Sequence, residues 1–194
     1  MAVDPYQAAR SGDLAGLRAY AAGGGELDAR RPGQLQRTPL HVAIESGQPG
    51  AARLLIELGA DIHAADYRDA RPLHYAAQTG LLAIVELLLD RGAEPAALNC
   101  FGETALHRLA AGGGLAPEED QVRIARRLVA AGVPADGSGN AGRTPLWYAA
   151  ARGKALVAAA LLAAGADPAR RADGDLGSPA DVATGAVALL LRHG

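Results

Sequence analysis

Thr38-Pro39-Leu40-His41-Val42-Ala43 decides the fold, because the chain repeats it. It returns as Arg71-Pro72-Leu73-His74-Tyr75-Ala76, Thr104-Ala105-Leu106-His107-Arg108-Leu109, Thr144-Pro145-Leu146-Trp147-Tyr148-Ala149 and Ser178-Pro179-Ala180-Asp181-Val182-Ala183. The steps between copies are 33, 33, 40 and 34 residues. A second landmark keeps the same register, as Gly59-Ala60-Asp61, Gly92-Ala93-Glu94, Gly132-Val133-Pro134 and Gly165-Ala166-Asp167. Self-similarity at such a period marks a stacked array in which each unit packs only on its neighbours.

Every motif residue has a local reading. Thr38 suits an N-cap, its hydroxyl accepting from first-turn N–H groups. Pro39 at the first helical position gives up an N–H that would be unpaired anyway. Leu40, Ala43 and Ile44 fall at i, i+3 and i+4, one buried stripe. Gly47 stops the helix in the left-handed region. A second helix over Ala51–Leu58 ends at Gly59 in the same way, and the stretch to the next motif has the length of a hairpin-like turn.

Composition agrees. Of 194 residues 49% are hydrophobic but only 4% aromatic, so Ala and Leu, both strong helix formers, must fill the core, and the class is all-α. The net charge of −2 and the absence of long Lys/Arg runs argue against a nucleic-acid partner. Cys100 stands alone, which excludes an internal disulfide and a cysteine-rich zinc site. The start Met1-Ala2-Val3-Asp4-Pro5-Tyr6 lacks a signal-peptide pattern, and the apolar run Leu81–Leu89 is too short to span a bilayer. The expectation is a cytoplasmic monomer without a membrane contact.

The Thr-Pro-Leu-His-x-Ala start and the Leu-Leu-x-x-Gly-Ala-Asp end resemble ankyrin repeats, over nearly the whole chain. The resemblance implies an ankyrin-repeat solenoid of stacked helix–turn–helix units, about five to six repeats with degenerate terminal caps. It forms a single domain over 1–194, with approximate repeats 2–35, 36–68, 69–101, 102–141, 142–174 and 175–194. Ala8-Ala9-Arg10-Ser11-Gly12-Asp13-Leu14 matches a first helix and its turn, and Leu189-Leu190-Leu191-Arg192-His193-Gly194 a truncated last unit.

Departures from the pattern carry the individual information. The fourth repeat is seven residues long for the period, the excess lying in Gly112-Gly113-Gly114-Leu115-Ala116-Pro117-Glu118-Glu119-Asp120. It reads either as a tolerated surface insertion or as an acidic prong that touches a partner. Trp147 replaces the motif His and so breaks that residue's contact with the threonine; it is either a repacking or an interface anchor. Arg71 replaces the cap Thr, which leaves Asp69 to cap the third repeat. Ser178 with Asp181 resembles a capping box, suited to a terminal unit.

Residues for chemistry are missing. His41, His74 and His107 occupy equivalent places in repeats stacked on the order of 10 Å apart, too far to share a metal. No serine sits in a Gly-x-Ser-x-Gly elbow, neither Gly23–Gly25 nor Gly112–Gly114 continues as a phosphate loop, and nothing beside Cys100 in sequence activates its thiol. Neither an enzyme nor a cofactor is expected.

What the resemblance implies is a non-catalytic protein–protein interaction module that binds a partner protein on a concave face lined by the turns and first helices. By position, the turns give Gln34, Leu35, Arg37, Tyr67, Arg68, Cys100, Phe101, Glu103, Asn140 and Arg143, and the first helices Glu45, Ser46, Gln78, Thr79 and Arg152. The residue after the His position reads Val42, Tyr75, Arg108, Tyr148, Val182, which predicts a ladder of Tyr75, Arg108 and Tyr148 beside Tyr67, Phe101 and Trp147. Aromatics and arginine are what interface cores favour. Other readings are an inhibitor or immunity-type protein that blocks a bacterial enzyme or toxin, since the Ala-, Gly- and Arg-rich usage suggests a GC-rich bacterium, and a structural scaffold without a dedicated partner.

Overall fold

Each repeat opens where an extended residue hands over to a helix. Thr38 (φ −82°, ψ 166°), Arg71 (−92°, 165°), Thr104 (−87°, 173°), Thr144 (−89°, 165°) and Ser178 (−87°, 169°) share that conformation, and proline follows all but Thr104. The computed structural model describes residues 3–30, 35–112, 114 and 116–193. Gln34 of the expected face, and Gly113 and Leu115 of the insertion, lie outside the described residues.

Twelve α-helices occur among the described residues, and no strand. The first helices are α1 (Pro5–Ser11), α3 (Pro39–Glu45), α5 (Pro72–Thr79), α7 (Ala105–Ala111), α9 (Pro145–Ala151) and α11 (Pro179–Val182). The second helices are α2 (Leu14–Ala22), α4 (Pro49–Glu57), α6 (Leu82–Asp90), α8 (Glu118–Ala130), α10 (Ala155–Ala163) and α12 (Gly185–His193). Each first helix packs on its own second helix, and each layer packs along the stack. Both layers run without a break from the first repeat to the last.

The expected stripe is the core. Leu40, Leu106 and Leu146 are fully buried and Leu73 nearly so, with Ala43, Ala76, Leu109 and Ala149 beneath them. Ala fills many of these places, so helices approach closely, and truncating one of the leucines to Ala would cost about 2–5 kcal/mol. Gly47 and Gly59 take positive φ as the stop signals required. One boundary shifts: α4 starts at Pro49, two residues before the expected Ala51, because proline again takes the first helical position.

Asp69 does not cap α5. It sits in the left-handed region (φ 57°) at the turn tip, where Gly102 and Gly142 stand in the next two repeats. Arg71 occupies the cap position without a side-chain cap bond; His74 Nδ1 accepts its backbone N–H at 3.1 Å, the reciprocal half of a capping box, and the His74 N–H donates to Arg71 O at 2.9 Å. At the last repeat the Ser178–Asp181 capping box forms as expected.

The described part of the insertion packs against its neighbours. Part of it lengthens α8 to 13 residues against nine in α6, with Glu118, Glu119 and Asp120 in the first turn, where the helix dipole favours them. Gly112 and Gly114 lie against the end of α5: an added methyl would stand 2.6 Å from the Gln78 and Thr79 carbonyl oxygens respectively. Glu118 accepts the Leu156 N–H at 2.8 Å, and the Lys154 ammonium donates to Leu109 O and Gln121 Oε1, both at 2.8 Å. The inserted segment is thus tied to the repeats on both sides.

Candidate partner-binding face

The motif histidines join one repeat to the next. His41, His74 and His107 are at most 2% exposed. Each Nδ1 accepts the N–H of the residue at the cap position, so the proton belongs on Nε2, which faces a carbonyl of the turn leading into the next first helix. The acceptors are Ala70 O (3.2 Å), Glu103 O (3.1 Å) and Gly137 O (3.0 Å). Burial holds all three rings well below the usual imidazole range, His41 at about 4. Among the described residues no three His, Cys, Asp or Glu side chains could hold a metal ion together.

Trp147 keeps half of that role. Thr144 Oγ1 now accepts from the Trp147 backbone N–H at 3.1 Å, so the contact with the threonine passes to the main chain. The indole Nε1 donates to Leu176 O at 3.3 Å, the same 29-residue reach as His41 to Ala70. The sole tryptophan is a strap first, and its half-exposed ring also faces Tyr148 edge-on at 5.5 Å.

Above the straps run the turn tips. Tyr67 N–H donates to Leu35 O, Cys100 N–H to Arg68 O and Asp173 N–H to Ala141 O, a strand-like ladder between neighbouring turns. Two of these turns are held from within by a buried polar side chain. Asp66 Oδ1 accepts from the Arg68 and Ala70 N–H groups, and Asn99 Oδ1 from those of Phe101 and Glu103. Asp66 and Asn99 were not singled out from the sequence. Their signal was an Asp/Asn at the same place 33 residues apart, opening a turn whose backbone it can bond.

On this frame the expected face comes together. Arg68, Tyr75, Gln78, Phe101 and Arg108 line one small pocket of about 40 Å³, with Asp66 and Asn99 at its floor. The Tyr75 hydroxyl donates to Asp66 Oδ2 at 2.7 Å, and that of Tyr148 to Glu103 Oε1 at 2.8 Å. Burial and these carboxylates raise both phenols. Arg108 bridges Gln78 Oε1 (2.5 Å) and Glu103 Oε2 (3.6 Å). Glu103, expected on the surface, is buried at 5% exposure and anchors Tyr148, Arg108 and Asn99 from beneath. The ladder therefore exists, but its polar atoms are turned into the turns.

Three groups point outward. Tyr67 and Phe101 are 52% and 41% exposed, and the Arg68 guanidinium lies over both rings, 5.2 and 5.9 Å from their centroids. Arg143 lies over Trp147 (4.8 Å) and Tyr148 (6.0 Å) in the same manner. Arg152 is exposed just past the end of α9.

A two-layer helical stack with straps between repeats and an aromatic–arginine cluster on its turns defines a helical-repeat scaffold. The family model described as ankyrin repeats, three copies, matches residues 6–99 and again 73–172, and the chain belongs to that family. No curated protein matches the chain. Ankyrin repeats are generally protein–protein interaction modules, and the family is typically non-catalytic. Among the described residues no helix is long and apolar enough to cross a membrane.

Proposed function

We propose that this chain is a non-catalytic module that binds a partner protein across the turn tips and first helices of its second to fifth repeats, acting as a cytoplasmic monomer. The observation that carries the reading is the exposure of Tyr67 and Phe101 around Arg68, on turns that buried Asp66 and Asn99 hold rigid. Rigid aromatic and arginine groups are the side chains that dominate binding hot spots, because little freedom is lost when they are covered. The contact set centres on Tyr67, Arg68, Phe101, Gln78 and Arg143, with Trp147 and Arg152 towards one end. Tyr75, Arg108, Tyr148 and Glu103 shape the surface from below.

The test uses Tyr67→Ala/Phe101→Ala, since truncating Tyr75 or Tyr148 would take one donor from buried Asp66 or Glu103 and confound binding with stability. Affinity capture from the source organism's lysate with wild type and the double variant, both checked for equal melting temperature, should lose the specific partner in the variant. A partner retained in full by the folded variant overturns the proposed face.

A further inference from the structure

Arg68 and Arg143 are built alike. Each guanidinium lies over two aromatic rings, Tyr67 and Phe101 in one case and Trp147 and Tyr148 in the other. Arg68 Nε donates to the Tyr67 hydroxyl at 2.7 Å, and the Arg143 Nε is buried without a partner. Rings cover the flat sides of a guanidinium and fix its orientation, leaving its terminal N–H edge for a carboxylate. Neither arginine forms an ion pair with a described residue, although arginines on other faces do: Arg127 with Asp90, Arg170 with Asp136 and Arg71 with Glu94.

The acids nearby do not satisfy them. Asp66 is used by two backbone N–H groups and Tyr75, and Glu103 by Tyr148, Asn99 and Arg108. Asp69 beside Arg68, and Asp173 on the turn after Arg143, are exposed and make no ion pair with either. The face thus offers ring-stacked arginine donors while its buried acids, Asp66 and Glu103, are already occupied.

Resting on the interaction-module reading, we propose that the partner presents an extended acidic segment whose carboxylates dock on Arg68 and Arg143. The 40 Å³ pocket between Arg68 and Arg108 has room for a group the size of one carboxylate. The two arginine seats lie two repeats apart, about 20 Å at packed-helix spacing. An extended chain covers that span in about six residues. The segment therefore carries acids near i and i+6. A nucleic acid would need phosphates every few ångströms along a basic track, and these two isolated seats do not form one.

The probes are labelled ten-residue Ser/Thr/Leu peptides with Glu at positions 2 and 8, the same peptide with Gln at both, and with Lys at both, plus a ten-nucleotide oligothymidylate. Titrated into the full chain, the Glu peptide should bind at least tenfold more tightly than the Gln peptide and weaken as salt rises from 50 to 500 mM. Arg68→Gln/Arg143→Gln, which keeps the aromatic rings, should erase that preference. Equal binding of Glu and Gln peptides, no binding of the Glu peptide, an unaffected double variant, or preference for the Lys peptide or the oligonucleotide overturns the acidic-segment proposal. If one of these occurs while Tyr67→Ala/Phe101→Ala still loses the captured partner, the interaction face stands and only its acidic specificity falls.

Discussion

The indole of Trp147 spans the kind of gap that an imidazole spans in the three repeats before it, and its N–H meets Leu176 O, one residue short of the position that Ala70 holds before the next helix cap. Replacing it tests strap against surface anchor. Trp147→Ala removes the strap and a half-buried ring, and should cost about 3–5 kcal/mol in chemical denaturation. Trp147→His should cost under about 1.5 kcal/mol, because the motif ring restores the threonine contact and can reach Leu176 O. Equal losses would show that ring packing alone matters. Asp69 offers the opposite case. A non-glycine residue at φ 57° is strained where the following repeats use glycine, so Asp69→Gly should gain about 0.5 kcal/mol and raise the melting temperature by about 1–2 °C. The sequence shows that Trp147 is not a histidine. It cannot show that an indole is long enough to make the same bond, since that depends on how far apart two repeats sit.

At the scale of elements, the seven extra residues of the fourth repeat are legible as an insertion and its position is correct. Its packing is not legible, because the surfaces it meets, the end of α5 and the start of α10, are supplied by the repeats on either side. Gly112 has an ordinary φ of −65°, so Gly112→Ala tests packing without backbone strain. The added methyl would press on Gln78 O and Arg108 O, and the variant should lose about 1–3 kcal/mol. Lys154 is the matching fastener. Burial, with Arg152 nearby, brings its ammonium down to about 8. Lys154→Met strands Leu109 O and the Gln121 carbonyl, and should lower stability by about 1–2 kcal/mol, read as a loss of 2–8 °C in melting temperature. A surface ion-free lysine would show no loss. The same limit explains Tyr148. Its place beside the stripe follows from register, whereas its bond to Glu103 crosses 45 residues and reverses the polar end of the side chain.

For the whole molecule, periodicity made the architecture readable, since two landmarks in register fix both helices of each unit and their order. Which polar groups would be spent inside the stack was not readable, and that division decides what remains for a partner. The stack also has a calculable response to acid. Burial lowers the folded-state values of His41, His74 and His107 below the unfolded value near 6.5, so the unfolded chain binds more protons in that range. Stability from these residues is complete above about pH 6.5 and is lost as pH falls, at up to about 1.4 kcal/mol per histidine per pH unit. For His41 the loss continues to about pH 4. Melting curves at pH 7.5, 5.5 and 4.5 should fall accordingly, and a flat profile would contradict the strap assignment. The last strap is different in kind, because an indole takes up no proton. Mild acid should therefore work as a directional zip: it unfastens the junctions clasped by imidazole and leaves the C-terminal one shut. Amide exchange at pH 5 would reveal a front that advances from the N-terminal repeats and stalls at Trp147.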